Sequence, residues 1–349
     1  MNENFEIGGK PVGAGAPCFV IAEAGANHDR DFEQAKRLID VAAETGADAV
    51  KFQTYTGARL YSRKTPKFQY LKGVSELPPA ELLDSIALPR EWQGELASYA
   101  ADKGILWFSS PFDLDAVASL ESIGVPAFKI ASFEIVDLEL IRRCASTGKP
   151  VVISTGMATL GEIEDAIEAC RSEGNESVAL LQCVSLYPAP AESMNLRAME
   201  TLRSAFGVPV GLSDHTIGTP VAIAAAAIGA NLVEKHFTLD RTLKGPDHPF
   251  AAEPQELAEL IAGIRAAERA MGDGRKIGPI PEESEEMFDL ARRSVVAAMP
   301  IPKGTIITRE MLTVKRPGWG IRPKHIELVV GREAKADIED DEVLTWEMV

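Results

Sequence analysis

The chain has 349 residues and a formal charge of −16, from 36 Lys and Arg against 52 Asp and Glu, so its surface repels nucleic-acid phosphates and anionic lipids unless a basic cluster intervenes, and none is visible. At 46% hydrophobic and 25% charged, the composition fits a compact water-soluble protein and excludes the disordered and membrane classes. The length allows a large barrel with a small module, or two medium domains.

Residues 1–17 are polar and Gly-rich, without the apolar stretch of a targeting signal, and the longest small-apolar run, 221–230, is far short of a bilayer span. Cys18, Cys144, Cys170 and Cys183 are dispersed, without paired or metal-finger spacing, which suits a reducing compartment. A cytoplasmic protein without nucleic-acid or membrane partners is expected.

From residue 18 onward a short apolar strand, a polar turn and an amphipathic helix recur. Strands are predicted at 18–23, 49–53, 105–109, 127–131, 151–154, 178–183, 208–213 and 232–236. Asp29 and Asp31 precede the helical spacing Ala35, Leu38, Ile39, Ala42, and Thr159 precedes a buried stripe of Leu160, Ile163, Ile167 and Ala169. Eight such units predict a (β/α)8 barrel, because parallel strands need helical crossovers and eight strands close around a filled interior. The rival, a doubly wound open sheet, lacks its glycine fingerprint, since Ala24 Gly25 Ala26 Asn27 follows the first strand. The insertion 55–88 lies between the second and third strands and is predicted to act as a lid on the catalytic rim. The pattern places the barrel at 1–271, a linker at 272–291 that opens with Gly and Pro, and a module of short strands at 292–349. In that module the β-like runs are Ser294 Val295 Val296, Ile306 Ile307 and Val343 Leu344, with a turn at Pro302 Lys303 Gly304.

Polar residues at the C-terminal ends of barrel strands face the active site. The strand ends carry Glu23; Lys51 and Gln53; Ser109 and Ser110; Lys129, then Ser132 and Glu134; Ser154; Ser185 and Tyr187; Ser213 and His215; and Lys235 and His236. Lys51 and Lys129 lie within apolar runs, where an unpaired ammonium is costly. They either pair with Glu23 or Glu134 or, with the converging serines, form an anion site; the second reading is favoured. His215 and His236 end neighbouring strands and can hold a catalytic divalent metal, Mn²⁺ or Mg²⁺ as readily as Zn²⁺, the alternative being hydrogen-bonded core histidines. Glu23 and Glu134 are the candidate proton-transfer groups. Asp247, in Lys244 Gly245 Pro246 Asp247 His248, either forms a turn or binds a ligand.

Ile21 Ala22 Glu23 Ala24 Gly25 Ala26 Asn27 His28, Val50 Lys51 Phe52 Gln53, Ser110 Pro111 Phe112, Lys129 Ile130 Ala131 Ser132, Ser154 Thr155 Gly156 Met157, Gly211 Leu212 Ser213 Asp214 His215 Thr216 and Glu234 Lys235 His236 Phe237 Thr238 together resemble the sialic acid synthase family. The tail, with Val314 Lys315 Arg316 Pro317 Gly318 Trp319 Gly320 Ile321, resembles that family's antifreeze-like (SAF) domain, a small β-clip. The resemblance implies condensation of phosphoenolpyruvate with an open-chain N-acylated mannosamine-type sugar, giving a nonulosonic acid and phosphate. It implies that Lys51, Gln53, Ser110, Lys129, Ser132, Ser154, Ser185 and Ser213 hold phosphoenolpyruvate, and that His215 and His236 hold a divalent ion, Mn²⁺ first. It further implies that Glu134, Tyr187, Asp247 and Phe288 contact the sugar, and that Arg316 reaches into the partner's barrel of a domain-swapped homodimer to read the N-acyl group. The strand-six segment, Cys183 Val184 Ser185 Leu186 Tyr187, is closer to relatives making legionaminic or pseudaminic acid than to N-acetylneuraminate synthases. The segment 61–79 would line the sugar pocket. Two rivals from other classes are a metal-dependent aldolase acting on a phosphorylated ketose, which needs more metal ligands than two histidines, and a carbohydrate-binding or structural protein, which leaves the polar strand ends unexplained.

Overall fold

The computed structural model describes residues 1–66 and 77–349. It opens on a hairpin that the polar N-terminal sequence did not suggest. Strands β1 (Asn4–Ile7) and β2 (Lys10–Gly13) pair antiparallel, with Ile7 opposite Lys10. Gly8 and Gly9, at φ 57° and 82°, form the tight turn, a backbone only glycine adopts freely at both positions. Ile7 and Val12 are fully buried, and Lys10 pairs with Asp48 at 2.9 Å. Asp48 precedes a barrel strand, so the hairpin stops the end of the barrel opposite the strand C-termini.

The eight predicted strands all form, each ending within two residues of its predicted bounds: β3 (Phe19–Glu23), β4 (Ala49–Thr54), β5 (Leu106–Pro111), β6 (Phe128–Ile130), β7 (Val151–Ser154), β8 (Val178–Cys183), β9 (Val210–Asp214) and β10 (Leu232–His236). They are parallel and follow chain order around a closed barrel, β10 pairing with β3. Helices α1 (Phe32–Glu44), α2 (Gly57–Leu60), α3 (Pro79–Ile86), α4 (Arg90–Asp102), α5 (Leu114–Ser122), α6 (Leu138–Ala145), α7 (Leu160–Ser172), α8 (Ala198–Phe206), α9 (Pro220–Ala227) and α10 (Pro254–Met271) accompany them. Of the two aspartates ahead of α1, Asp31 is the cap, accepting from the Gln34 amide at 2.8 Å, and Ala35, Leu38, Ile39 and Ala42 are buried as predicted. In α7 the Thr159 and Glu162 capping box sets the start, and Ile163, Ile167 and Ala169 face inward. Leu160 is a correction: as the first helical residue it points outward and is exposed.

The insertion is bounded by α2 and α3, tied together by the Gly57 amide donating to Asp84. Residues 67–76, part of the predicted lid and of the segment 61–79 expected to line the sugar pocket, lie outside the described residues. Among the described residues, no helix is long and apolar enough to cross a membrane.

The chain divides into two compact units, Met1–Gly272 and Asp273–Val349. The second contains α11 (Glu285–Ala291), the antiparallel pair β11 (Ser294–Ala297) and β12 (Leu312–Lys315), and the short α12 (Ile326–Val329). Its own core includes Val295, Ala297, Ile301, Ile307, Leu312 and Leu344. Gly304, at φ 83°, makes the predicted turn; of the pair that follows, Ile307 is buried and Ile306 exposed.

Candidate functional site

Alternate residues of a strand face opposite sides. In this barrel the rule divides the polar strand ends into two sets. Glu23, Lys51, Gln53, Ser110, Lys129, Ser154, Ser213 and His236 stand on the interior phase. Ser109 and Lys235 stand on the other phase, which corrects their placement on the rim. The Ser109 hydroxyl meets Thr54 at 2.7 Å, and Thr54 accepts from Gln93 of α4 at 3.0 Å. Lys235 pairs with Asp214 at 2.8 Å and also donates to the Thr216 carbonyl.

The interior set is a buried charge cluster. Lys51 lies 2.6 Å from Glu23 and donates to Ser110 at 3.1 Å. Gln53 donates to the other Glu23 oxygen at 2.7 Å. Lys129 donates to Ser154 at 2.7 Å. Between the two lysines stands Glu234, 3.8 Å from Lys51 and 4.0 Å from Lys129, with the Ser213 hydroxyl 3.3 Å away. Sequence reasoning missed Glu234. Its position two residues before His236 puts it on the same strand face, and that spacing was the available signal. The ion-pair alternative is therefore realised in part, for Lys51 with Glu23, whereas Lys129 faces Glu234 and not Glu134.

Burial pushes the Glu23 carboxyl up to about 7 against the opposing pull of Lys51. Burial pulls Lys129 below its ordinary value, whereas for Lys51 the adjacent Glu23 and Glu234 outweigh burial and raise it. For Glu234 burial is outweighed by Lys129 and Lys51, and its carboxyl is lowered. The serine hydroxyls beside these ammonium groups provide the donors an anionic ligand needs. Ser132 and Ser185 meet at 2.9 Å beside Gly156, where a Cβ would fall 2.4 Å from Ser132 Cβ and 2.8 Å from Ser185 Oγ. At this point only glycine fits.

His215 and His236 come together, their ring centroids 5.6 Å apart, with Tyr187 4.3 Å from His215 and Phe250 5.1 Å from His236. His215 Nδ1–H donates to the Val184 carbonyl at 2.8 Å, which leaves Nε2 as a lone-pair donor. His236 is buried with Nδ1 unpartnered, and burial holds its pKa well below the ordinary value. Two neutral buried imidazoles with lone pairs to offer fit a divalent metal. Among the described residues no third His, Cys, Asp or Glu completes a closed site, so remaining positions would fall to water or substrate, as in catalytic sites. Cys183 also lines this region, with Sγ 4.0 Å from His215 Nδ1.

Asp247 accepts from the Ala26 amide at 3.0 Å. Gly25, at φ 52°, lies so close that a Cβ would fall 2.5 Å from the Asp247 carboxylate and 3.2 Å from His236 Nδ1. Glu134 follows β6 in a 3-10 turn with a buried, unpartnered Oε2, and burial pushes its carboxyl up to about 7. The folded chain therefore keeps a proton that the unfolded chain loses from about 4.5 upward. The stability from that proton is complete below about pH 4.5 and is lost as pH rises through about 7. Glu134→Gln is expected to stabilise the protein by about 1–3 kcal/mol near pH 8, the gain shrinking several-fold by about pH 5. Urea denaturation at both pH values checks this.

Phe288 and Arg316 belong to the second unit. There the Arg292 guanidinium covers the Phe288 ring at 4.6 Å, and Arg316 is exposed immediately before a cis bond to Pro317. On the barrel unit, Phe133, Val136, Met157, Leu186 and Ile217 are exposed on the loops after β6, β7, β8 and β9, an apolar arc along one side of the mouth.

Residues 38–276 match the NeuB family and residues 292–349 the SAF domain. N,N'-diacetyllegionaminic acid synthase of Campylobacter jejuni is 40% identical over 329 residues, 93% of this chain and 98% of that protein. Pseudaminic acid synthase of Helicobacter pylori is 38% identical, covering 91% and 94%. The crystal structure of N-acetylneuraminic acid synthetase from Leptospira borgpetersenii, in complex with citrate, superimposes with a TM-score of 0.73 at 35% identity over 82% of this chain and 96% of that one. With a closed eight-stranded parallel barrel ahead of a SAF domain, and relatives matched along almost their whole length, the chain belongs to the NeuB family.

Proposed function

We propose that this protein is a nonulosonic acid synthase that joins the methylene carbon of phosphoenolpyruvate to the aldehyde carbon of an open-chain N-acylated mannosamine-type sugar. Water enters at C2 of the enolpyruvate and inorganic phosphate leaves. The observation that carries the reading is the juxtaposition of two buried lysines and their serine partners with a pair of neutral histidines in one barrel mouth. An anionic three-carbon donor and a carbonyl acceptor need these two kinds of group side by side.

Lys51, Gln53, Ser110, Lys129, Ser132, Ser154, Ser185 and Ser213 hold the phosphate and carboxylate of phosphoenolpyruvate, with the serines and ammonium groups presented from fixed strands. Glu23 and Glu134, both raised by burial to about 7, handle protons at neutral pH, where a carboxyl so tuned both accepts and donates. Glu134, Tyr187 and Asp247 orient the sugar. His215 and His236 would hold the divalent ion, Mn²⁺ first, with Mg²⁺ or another divalent ion as alternatives. Such an ion supplies Lewis acidity toward a carbonyl oxygen.

In the same proposal Arg316 recognises the N-acyl carbonyl, and Phe288 meets the sugar, within a domain-swapped homodimer. The exposed apolar arc beside the mouth supports covering by a second copy. Arg316→Ala should raise the sugar KM at least tenfold and move the phosphoenolpyruvate KM less than twofold, since one charge-assisted hydrogen bond contributes about 1.5–3 kcal/mol. Equal loss for both substrates would contradict this role. Four buried free cysteines support a reducing, cytoplasmic setting.

The relatives named above are synthases of different acids, N,N'-diacetyllegionaminic, pseudaminic and N-acetylneuraminic, and the strand-six segment favours a legionaminic- or pseudaminic-type acceptor. Mass spectrometry of products formed from phosphoenolpyruvate and N-acetylmannosamine, its 6-phosphate, 2,4-diacetamido-2,4,6-trideoxymannose or the corresponding altrose sugar identifies the acceptor. A nonulosonic acid with a diacetamido sugar is the expected product; none with any of the four would contradict the proposal.

A further inference from the structure

The segment Gly245–His248 holds a residue that the reaction as described does not use. His248 is fully buried in the short 3-10 turn His248–Phe250. Its Nε2–H donates to Asp29 at 3.0 Å, and its Nδ1 meets the Thr238 hydroxyl at 2.6 Å. Asp29 lies in the loop between β3 and α1 at φ 51°, a left-handed backbone, and also accepts from Gln34 of α1 at 2.5 Å. Thr238 stands two residues beyond His236, just past the end of β10. A single imidazole therefore ties together the start of α1, the end of β10 and the turn in which it sits. Gly245 presses on the same ring, where a Cβ would fall 2.8 Å from His248 Cδ2.

What the imidazole holds in place lies on either side of it. Asp247 turns its carboxylate to the Ala26 amide at 3.0 Å. Phe250 sets its ring 5.1 Å from His236 and 5.5 Å from Tyr187. Lys51, Lys129 and Ser154 stand on strands and make no hydrogen bond to this network. We propose that His248, held by Asp29, is a positioning residue for the sugar half of the site, fixing the segment that carries Asp247 and Phe250 against the histidine pair. This rests on the reading that Asp247 and Tyr187 meet an amino sugar.

The test uses full-length protein loaded with Mn²⁺, phosphoenolpyruvate, and whichever of the four sugars above the wild type turns over. His248→Ala should raise the sugar KM at least tenfold, leave the phosphoenolpyruvate KM within twofold, and speed hydrogen exchange across 240–252. Asp29→Ala should reproduce it, and the double variant should be no worse than either single one, because both remove one clamp. Asp29→Asn keeps an acceptor for Nε2–H and should stay within about threefold of wild type. If His248→Ala does not fold, Thr238→Val breaks the clamp from its other end and carries the same expectations. An unchanged sugar KM, an equal rise for both substrates, or additive losses in the double variant would overturn the inference. If the wild type turns over no sugar, the functional reading fails, while the exchange measurement still decides the clamp: unchanged protection of 240–252 rejects it.

Discussion

His236→Ala should lower kcat/KM for condensation by about 10³-fold or more while leaving the fold intact. Each tenfold loss is about 1.4 kcal/mol of transition-state stabilisation, and losing a Lewis acid at a reacting carbonyl removes several kcal/mol. His236 is buried yet has Nδ1 without a hydrogen-bond partner, so its ring contributes packing against Phe250 and little polar stabilisation. Truncation should therefore cost activity far more than stability. Calorimetric titration with Mn²⁺ separates the causes: a variant that melts like wild type but no longer binds the ion matches the assignment. Full metal-dependent turnover would refute it.

Lys129→Met should weaken phosphoenolpyruvate binding about 10²-fold or more, because the lysine, bonded to Ser154, faces the barrel interior, where the proposed anion pocket lies. Lys235→Met makes the contrast. That lysine ends a strand too, yet it stands on the opposite phase and neutralises the buried Asp214. Its loss should destabilise the fold by about 3–5 kcal/mol, the cost of stranding one partner of a buried pair, and leave the binding constant of the folded fraction within a few-fold. Fluorescence titration beside urea denaturation distinguishes them. Similar binding losses in both variants would mean that strand phase does not sort the rim.

Strand phase also separates what the sequence disclosed from what it concealed. Apolar runs bounded by turns located all eight barrel strands, because strands buried on both faces read as continuous hydrophobic segments. Which polar residue on each strand faces inward needed the period of two. Without it Ser109 and Lys235 joined the rim, and Glu234 did not. The N-terminal hairpin was concealed because its strands are four residues each and polar in part, although Gly8 Gly9 between them is a hairpin turn signal. Asp29 was legible only as a helix-start residue; its pairing with His248 spans 219 positions of sequence, a tertiary contact that no local pattern encodes. The histidine pair was legible because β9 and β10 are consecutive neighbours in a barrel, so His215, just past the end of β9, meets His236, the last residue of β10. Phe288 and Arg316 carried no signal of their own and rested wholly on resemblance.

In the proposed reaction one barrel mouth condenses phosphoenolpyruvate with a sugar aldehyde and expels the phosphate. Phosphate release from phosphoenolpyruvate, followed with and without the acceptor sugar and with and without Mn²⁺, is the decisive measurement. Release should depend on both sugar and metal, match the nonulosonic acid formed mole for mole, and disappear in His236→Ala. Carbon–carbon bond formation with the phosphate retained would assign the barrel to an aldolase, and no release with any of the four sugars from folded, metal-loaded protein would rule the synthase reaction out.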